Sequence, residues 1–274
     1  MTKKFATHIV YLVPILASLL FGLGCAYLLL LQTVPAIPVT PFPEDNPSGP
    51  FGNALYFVII IAVSATLFYI LLKRKSRRLI SFLITVALTT ASLLLSIIYL
   101  SAIFAYVPSF EFLVLPLALI VTAGFLLAVF RLGSKARNTV VVCLGGALGV
   151  FFGAYIPFYS AVLILAFLAV YDVFAVYYGP VGKIAHSGLD QLQGLSYSFK
   201  DLQMGLGDLV FYSMLSGSML FNFNSLFPCF MSIIGILTGS LLTLLMLEKK
   251  GIFPGLPFPI LLGLAAGIFT SFVV

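Results

Sequence analysis

The chain has 274 residues, of which 62% are hydrophobic and 8% charged, and 14 Lys and Arg outweigh 8 Asp and Glu to give a net charge of +6. With a mean hydropathy of +1.20, this composition excludes an ordinary soluble domain and defines a polytopic membrane protein. The apolar residues run on for ~20 positions at a time, the length of a bilayer-crossing helix, whereas a membrane β-barrel needs alternating segments about half as long.

In chain order, the apolar runs fall at about 9–31, 53–72, 79–100, 112–130, 139–156, 160–178, 205–222, 227–247 and 254–273. They predict an all-α protein of nine transmembrane helices. No polar block is long enough to fold alone, so residues 1–274 form one integral-membrane domain. Lys3 and Lys4 precede the run from His8 to Leu31 as they would in a signal peptide. That run is too long for an h-region and lacks a small-residue cleavage site, so it reads as the first span. Pro35, Pro38, Pro41, Pro43, Pro47 and Pro50, with Glu44 and Asp45, predict an extended, non-helical surface linker before the second. Cys25, Cys143 and Cys229 are odd in number and lie in or beside apolar runs, where packing is their expected role.

Orientation follows from the basic residues, which are in excess in short cytoplasmic loops. With the N-terminus inside, Lys3, Lys4, Lys73, Arg74, Lys75, Arg77, Arg78, Arg131, Lys135, Arg137, Lys183, Lys200, Lys249 and Lys250 all fall inside, which accounts for all 14. The C-terminus is then outside. These clusters serve as topological signals and lipid contacts, not as a nucleic-acid surface.

Against this background two acids are anomalous. Asp172 and Asp208 lie within apolar runs, where charge is expensive and usually functional; Glu44, Asp45, Glu111, Asp190, Asp201 and Glu248 lie in or beside polar connections. The topology puts both roughly 5 to 9 Å below the cytoplasmic interface, at 1.5 Å per helical residue. Two such carboxylates can share a proton and a water as general acid and base. Equally, they can bind protons or cations in a transporter or channel. Gly205 and Gly207, just before Asp208, permit close approach of a helix or an extended peptide. Tyr171 either hydrogen-bonds near the acids or packs.

Tyr171-Asp172, Gly205-Leu206-Gly207-Asp208 and Pro254-Gly255-Leu256-Pro257, on spans six, seven and nine, resemble the Y-D, G-x-G-D and P-A-L motifs of presenilins and signal peptide peptidases. Phe211-Tyr212-Ser213 extends the resemblance, which is strongest from about 160 onward and covers the whole topology. These are intramembrane aspartyl proteases with nine spans, and the chain looks most like a small archaeal or prokaryotic member. The resemblance implies an aspartic endopeptidase with Asp172 and Asp208 as catalytic pair. It implies a substrate-binding region comprising Tyr171, Gly205, Leu206, Gly207, Pro254, Gly255, Leu256 and Pro257. Its substrates would be transmembrane segments with their N-terminus outside, its setting the cell membrane, and no accessory subunit or cofactor is required.

Two features depart from the family. Gly255 stands where the motif has Ala, and the connection from Gly179 to Met204 is too short for the insert that presenilins cut during maturation. With Gly179, Gly182, Gly188 and Gly194, that connection reads either as a mobile gate or as a disordered connector. No metal site is expected, because His8 and His186 are the only histidines and the cysteines do not cluster. Gly145, Gly149 and Gly153, like Gly263 and Gly267, form small-residue faces suited to helix packing.

Overall fold

Without water to satisfy backbone polar groups, a chain this apolar must close its hydrogen bonds within helices. A computed structural model, describing residues 9–31, 39–178, 196–199 and 202–272, shows nine α-helices among those residues. They are α1 (Val13–Leu30), α2 (Gly49–Lys73), α3 (Arg77–Phe104), α4 (Val114–Phe130), α5 (Ser134–Tyr155), α6 (Phe158–Tyr177), α7 (Leu206–Phe223), α8 (Leu226–Lys250) and α9 (Pro257–Ser271). Short 3-10 segments, Ile9–Leu12 and Pro108–Leu113, lead into α1 and α4. Two strands, β1 (Ser196–Phe199) and β2 (Leu202–Gly205), pair antiparallel with Tyr197 opposite Met204 and Ser196 opposite Gly205.

Seven helical segments are long and apolar enough to cross a membrane. The exceptions are α7 and α9, for different reasons. Helix α7 carries Asp208, Ser213, Ser216, Ser218 and Asn222, and from Leu209 to Leu220 nearly all of it is buried, so it needs little affinity for lipid. Helix α9 is only 15 residues long, about 22 Å at 1.5 Å per residue, because helical structure starts at Pro257 and not at residue 254. The segment before it is not helical. Helix α8 ends at Gly251, whose φ of 77° an L side chain rarely adopts, and Ile252–Leu256 then returns along the bundle without helical bonding.

The small-residue faces explain the closest contacts. Helix α5 packs along α7 through Gly145, Gly149 and Gly153. A Cβ on Gly149 would run into the Val210 carbonyl oxygen and stand 2.6 Å from Ser213 Cβ; one on Gly153 would stand 2.7 Å from the Met214 oxygen. Helix α8 packs on α9 similarly, with Gly239 against Pro259 Cα. Gly263 and Gly267 of α9 meet Leu215, Ile236 and Met219. The resulting core includes Leu19, Leu165, Leu168, Leu209, Met214 and Ile236. Cys25 and Cys229 are buried, and all three thiols are free.

The region between α1 and α2 is not the plain surface linker expected. Residues 32–38, with Pro35 and Pro38, lie outside the described residues, but 39–48 is tied down. Asn53, fully buried in the first turns of α2, accepts from the Phe42 N–H at 3.0 Å and donates to the Phe42 oxygen and to Ser160 Oγ, each at 2.9 Å. Glu44 accepts from the Ser160 N–H at 2.7 Å. That places an acid on the unsatisfied first turn of α6, where the helix dipole favours it. Pro50 belongs to the start of α2, where its missing N–H costs nothing.

The backbone contact at Gly149 generates a stability test. Gly149→Ala is expected to destabilise the protein by about 1–3 kcal/mol, since its methyl group has no room. Gly24→Ala, where a Cβ meets nothing within 4 Å, should leave stability unchanged or raise it by up to about 1 kcal/mol. Thermal unfolding of both variants in detergent checks this.

Candidate active site

Asp208 is the third residue of α7, and the chain reaches it from β2 through Gly205, an extended N-cap with ψ near 145°. The strand-to-helix switch therefore delivers the carboxyl group to a helix N-terminus, where unsatisfied N–H groups and the helix dipole favour negative charge. It folds back toward Gly205, on which a Cβ would lie 3.6 Å from Asp208 Oδ2. Asp172 comes from α6, near its end at Tyr177. Both are half-buried, and both line one cavity of about 500 Å3.

The non-helical segment after α8 completes the cavity. The Leu256 N–H donates to Asp172 Oδ2 at 2.9 Å. The neighbouring Gly255 carbonyl accepts from the hydroxyl of Tyr212 at 2.9 Å. Gly255 also faces the second acid, since a Cβ there would stand 3.2 Å from Asp208 Oδ1. This backbone stretch thus touches both carboxyl-bearing helices. No Lys, Arg or His lines the cavity among the described residues; the walls are otherwise mostly apolar, with Ile15 from α1, Ile61 and Ala65 from α2, and Phe211 from α7.

Of the residues singled out from sequence, Tyr171, Asp172, Gly205, Gly207, Asp208, Gly255 and Leu256 line this cavity. Leu206, Pro254 and Pro257 do not; Leu206 packs against the hydrophobic core, Pro254 is buried beside the site, and Pro257 starts α9. His8 and His186, and the glycines at 179, 182, 188 and 194, lie outside the described residues, as do Lys3, Lys4, Lys183 and Lys200. Among the described residues no three His, Cys, Asp or Glu gather as metal ligands do.

Three contributors were not foreseen. Tyr212 is 3% exposed and lies one helical turn after Asp208, hence on the same face, a spacing visible in the sequence. Ser240 and Thr243 come from α8, whose polar residues carry no local signal that they meet this cavity. The hairpin was also missed. Ser-Tyr-Ser-Phe and Leu-Gln-Met alternate polar and apolar residues, the period of a strand, and Tyr197 and Met204 use it to pack on the hydrophobic core while β1 rests on α5.

The geometry defines a class: a helical membrane protein with two carboxylates from separate helices in one cavity, bridged by non-helical backbone. Proteins of known family fall in the same class. The presenilin family model matches residues 187–274. Over 122 residues the chain is 36% identical to Presenilin-B of Dictyostelium discoideum, a match that covers 40% of this chain and 25% of that relative's length. Its fold is similar to a solved presenilin family intramembrane aspartate protease in a P2 crystal form, at TM-score 0.67 and 21% identity over 99% of this chain and all of the other. A C222 form gives TM-score 0.68 at 19% identity, over 96% and 99%. The resemblance expected from the motifs therefore holds: the chain has the presenilin-family fold, and its last third matches the family in sequence.

Contact between Gly255 and Asp208 allows a direct test of the departure from the P-A-L pattern. Gly255→Ala is expected to fold with stability within about 1 kcal/mol of the parent. The methyl group presses only on a side-chain carboxyl that can shift by tenths of an ångström, and the loss of unfolded-state freedom offsets part of that cost. Thermal unfolding reads the outcome; a loss above about 3 kcal/mol, the upper range for overpacking, would mean that the carboxyl cannot give way.

Proposed function

We propose that the protein is an intramembrane aspartyl protease that hydrolyses peptide bonds of transmembrane segments, with Asp172 and Asp208 as its catalytic pair. The observation that carries this reading is that two carboxyl groups, with no cation lining the site among the described residues, open into one cavity beside non-helical backbone. Two carboxylates so placed cannot both be charged, so they hold one proton between them, which is the starting state for acid/base hydrolysis. The ionised member takes a proton from water as its oxygen bonds to the scissile carbonyl carbon. The protonated member gives its proton to the carbonyl oxygen. The resulting gem-diol collapses as the first carboxyl group, now protonated, gives its proton to the amide nitrogen and the second takes one from a gem-diol hydroxyl, and the C–N bond breaks to leave acid and amine.

A transmembrane substrate must unwind before water can reach its carbonyl, because its backbone polar groups are bonded internally. Tyr171, Gly205, Leu206, Gly207 and the Pro254–Pro257 segment form the substrate-binding region in this reading. The segment Ile252–Leu256 is not helical and reaches both acids, so it offers the unwound peptide a backbone to pair with. A transporter reading fits less well, since Asp172 and Asp208 sit near helix ends, roughly 8 Å and 3 Å from them by helical rise, instead of at mid-helix.

Nine spans with the N-terminus inside and the C-terminus outside complete the proposal. Lys73–Lys75, Arg131 to Arg137 and Lys249–Lys250, at alternate helix junctions, then face the cytoplasm together with both acids. Substrates would have their N-terminus outside and be cut near their cytoplasmic end, in the cell membrane and without accessory subunits or cofactors.

Asp172→Ala and Asp208→Ala should each abolish cleavage of a single-span substrate by the purified protein, and the double variant should be no worse than either. EDTA should leave the rate unchanged. New peptide ends, read by mass spectrometry, are the measurement; near-normal cleavage by either single variant would refute the assignment. For topology, single cysteines at Ser48 and Ser187 in a cysteine-free background are probed on intact cells with an impermeant thiol reagent. Labelling is expected at 48 and not at 187, and the reverse would invert the substrate direction.

A further inference from the structure

The two hydrogen bonds that tie the Pro254–Leu256 segment to the site share one peptide unit. The Gly255 carbonyl, which accepts from Tyr212, and the Leu256 N–H, which donates to Asp172, are the two polar ends of the same planar amide. The unbroken sequence is Tyr212 O–H to Gly255 C=O, across the amide, then Leu256 N–H to Asp172 Oδ2, with both hydrogen bonds at 2.9 Å. Donation to the carbonyl oxygen polarises an amide and makes its N–H a better donor, so the two bonds reinforce each other.

We infer that Tyr212 is a positioning residue for Asp172, acting from α7 on α6 through the Gly255–Leu256 amide. Tyr212 is 3% exposed and lines the same cavity as Ser240 of α8, so its hydroxyl is enclosed by protein. Gly255 is adjacent to Asp208 as well, so the amide plane fixes where one carboxyl group stands relative to the other. In-line attack and proton transfer depend on that relation to within fractions of an ångström. Removing the hydroxyl leaves the buried Gly255 oxygen without its donor and frees the amide to rotate, which moves the Leu256 N–H off Asp172.

The kinetic part of this inference rests on the protease reading; the amide geometry does not, and the test separates them. In protein labelled with 15N-leucine and held in lipid, hydrogen exchange of the Leu256 amide is measured for the parent and for Tyr212→Phe. Exchange at least tenfold faster in the variant is expected, while amides in the middle of α5 stay unchanged. In the cleavage assay, kcat of Tyr212→Phe should fall tenfold or more with KM within twofold of the parent. Replacing Tyr212 with p-aminophenylalanine, which restores an N–H donor at the same position, should recover most of the loss. Unchanged Leu256 exchange, a loss confined to KM, or no recovery with the amino analogue would each overturn the inference. If the parent cleaves nothing, the protease reading fails and the exchange result alone decides whether Tyr212 positions Asp172. Should Tyr212→Phe not fold, 3,5-difluorotyrosine at this position, a stronger donor, should slow Leu256 exchange, and no slowing would refute the link.

Discussion

An ionisable carboxyl group inside an apolar helical bundle has to be given polar neighbours by the protein, because lipid supplies none. That constraint shapes the half of the chain that carries the site. Asp208 meets it at a helix N-terminus, which requires a break in regular structure at Gly205. Asp172, in a continuous helix with no such end of its own, meets it by borrowing a backbone N–H from Leu256. The lender's N–H must be free of intrahelical bonding, as it is between the end of α8 at Gly251 and the start of α9 at Pro257. The polar backbone left free by these interruptions stays tolerable because protein surrounds it: α7 is almost wholly enclosed, and α5 presses on it through glycines that bring backbone against backbone.

Much of this was legible in the sequence where a single residue or a short period carries the physics. Continuous apolar runs defined the helices, since length and hydropathy alone govern them. Asp172 and Asp208 stood out because no other acid lies in such a run, and the glycine faces of α5 and α9 followed from four-residue spacing. What could not be read depends on distant pairs. Glu44 reaches the first turn of α6 across 116 positions of chain, and nothing near Glu44 or Ser160 announces it. The buried Asn53 looked like one polar residue at the edge of a span. Span limits near the site also shifted, because apolar side chains in Ile252–Leu256 continue the hydrophobic run although the backbone is not helical. Hydropathy records the surroundings of a segment, not its conformation.

The starts of α2 and α6 are joined differently from the glycine-faced helix pairs. Where α5 meets α7 and α8 meets α9, small residues make the contact; here Asn53, Phe42, Ser160 and Glu44 form a local set of hydrogen bonds that ties the segment after α1 to both helices. The direction of each bond matters. Asn53 spends both its amide and its carbonyl groups, and Glu44 fills a donor that the start of α6 would otherwise leave unpaired. This junction and Asp172 lie toward opposite ends of α6, so the helix is held where it begins and carries its acid near where it ends.

Helix α2 contributes Ile61 and Ala65 to the cavity wall, yet only 6% of the residues in its most apolar stretch are buried, against 56% for α5. Helix α2 is thus a wall of the cavity that is itself poorly covered by protein. For the proposed activity, a substrate passing α2 would come from the plane of the bilayer, not from water. Its concentration is then a mole fraction among lipids, and encounter is a two-dimensional search. Adding lipid or detergent dilutes such a substrate even when the volume of the solution stays the same, so rates should be compared at equal substrate-to-lipid ratio and not at equal molarity.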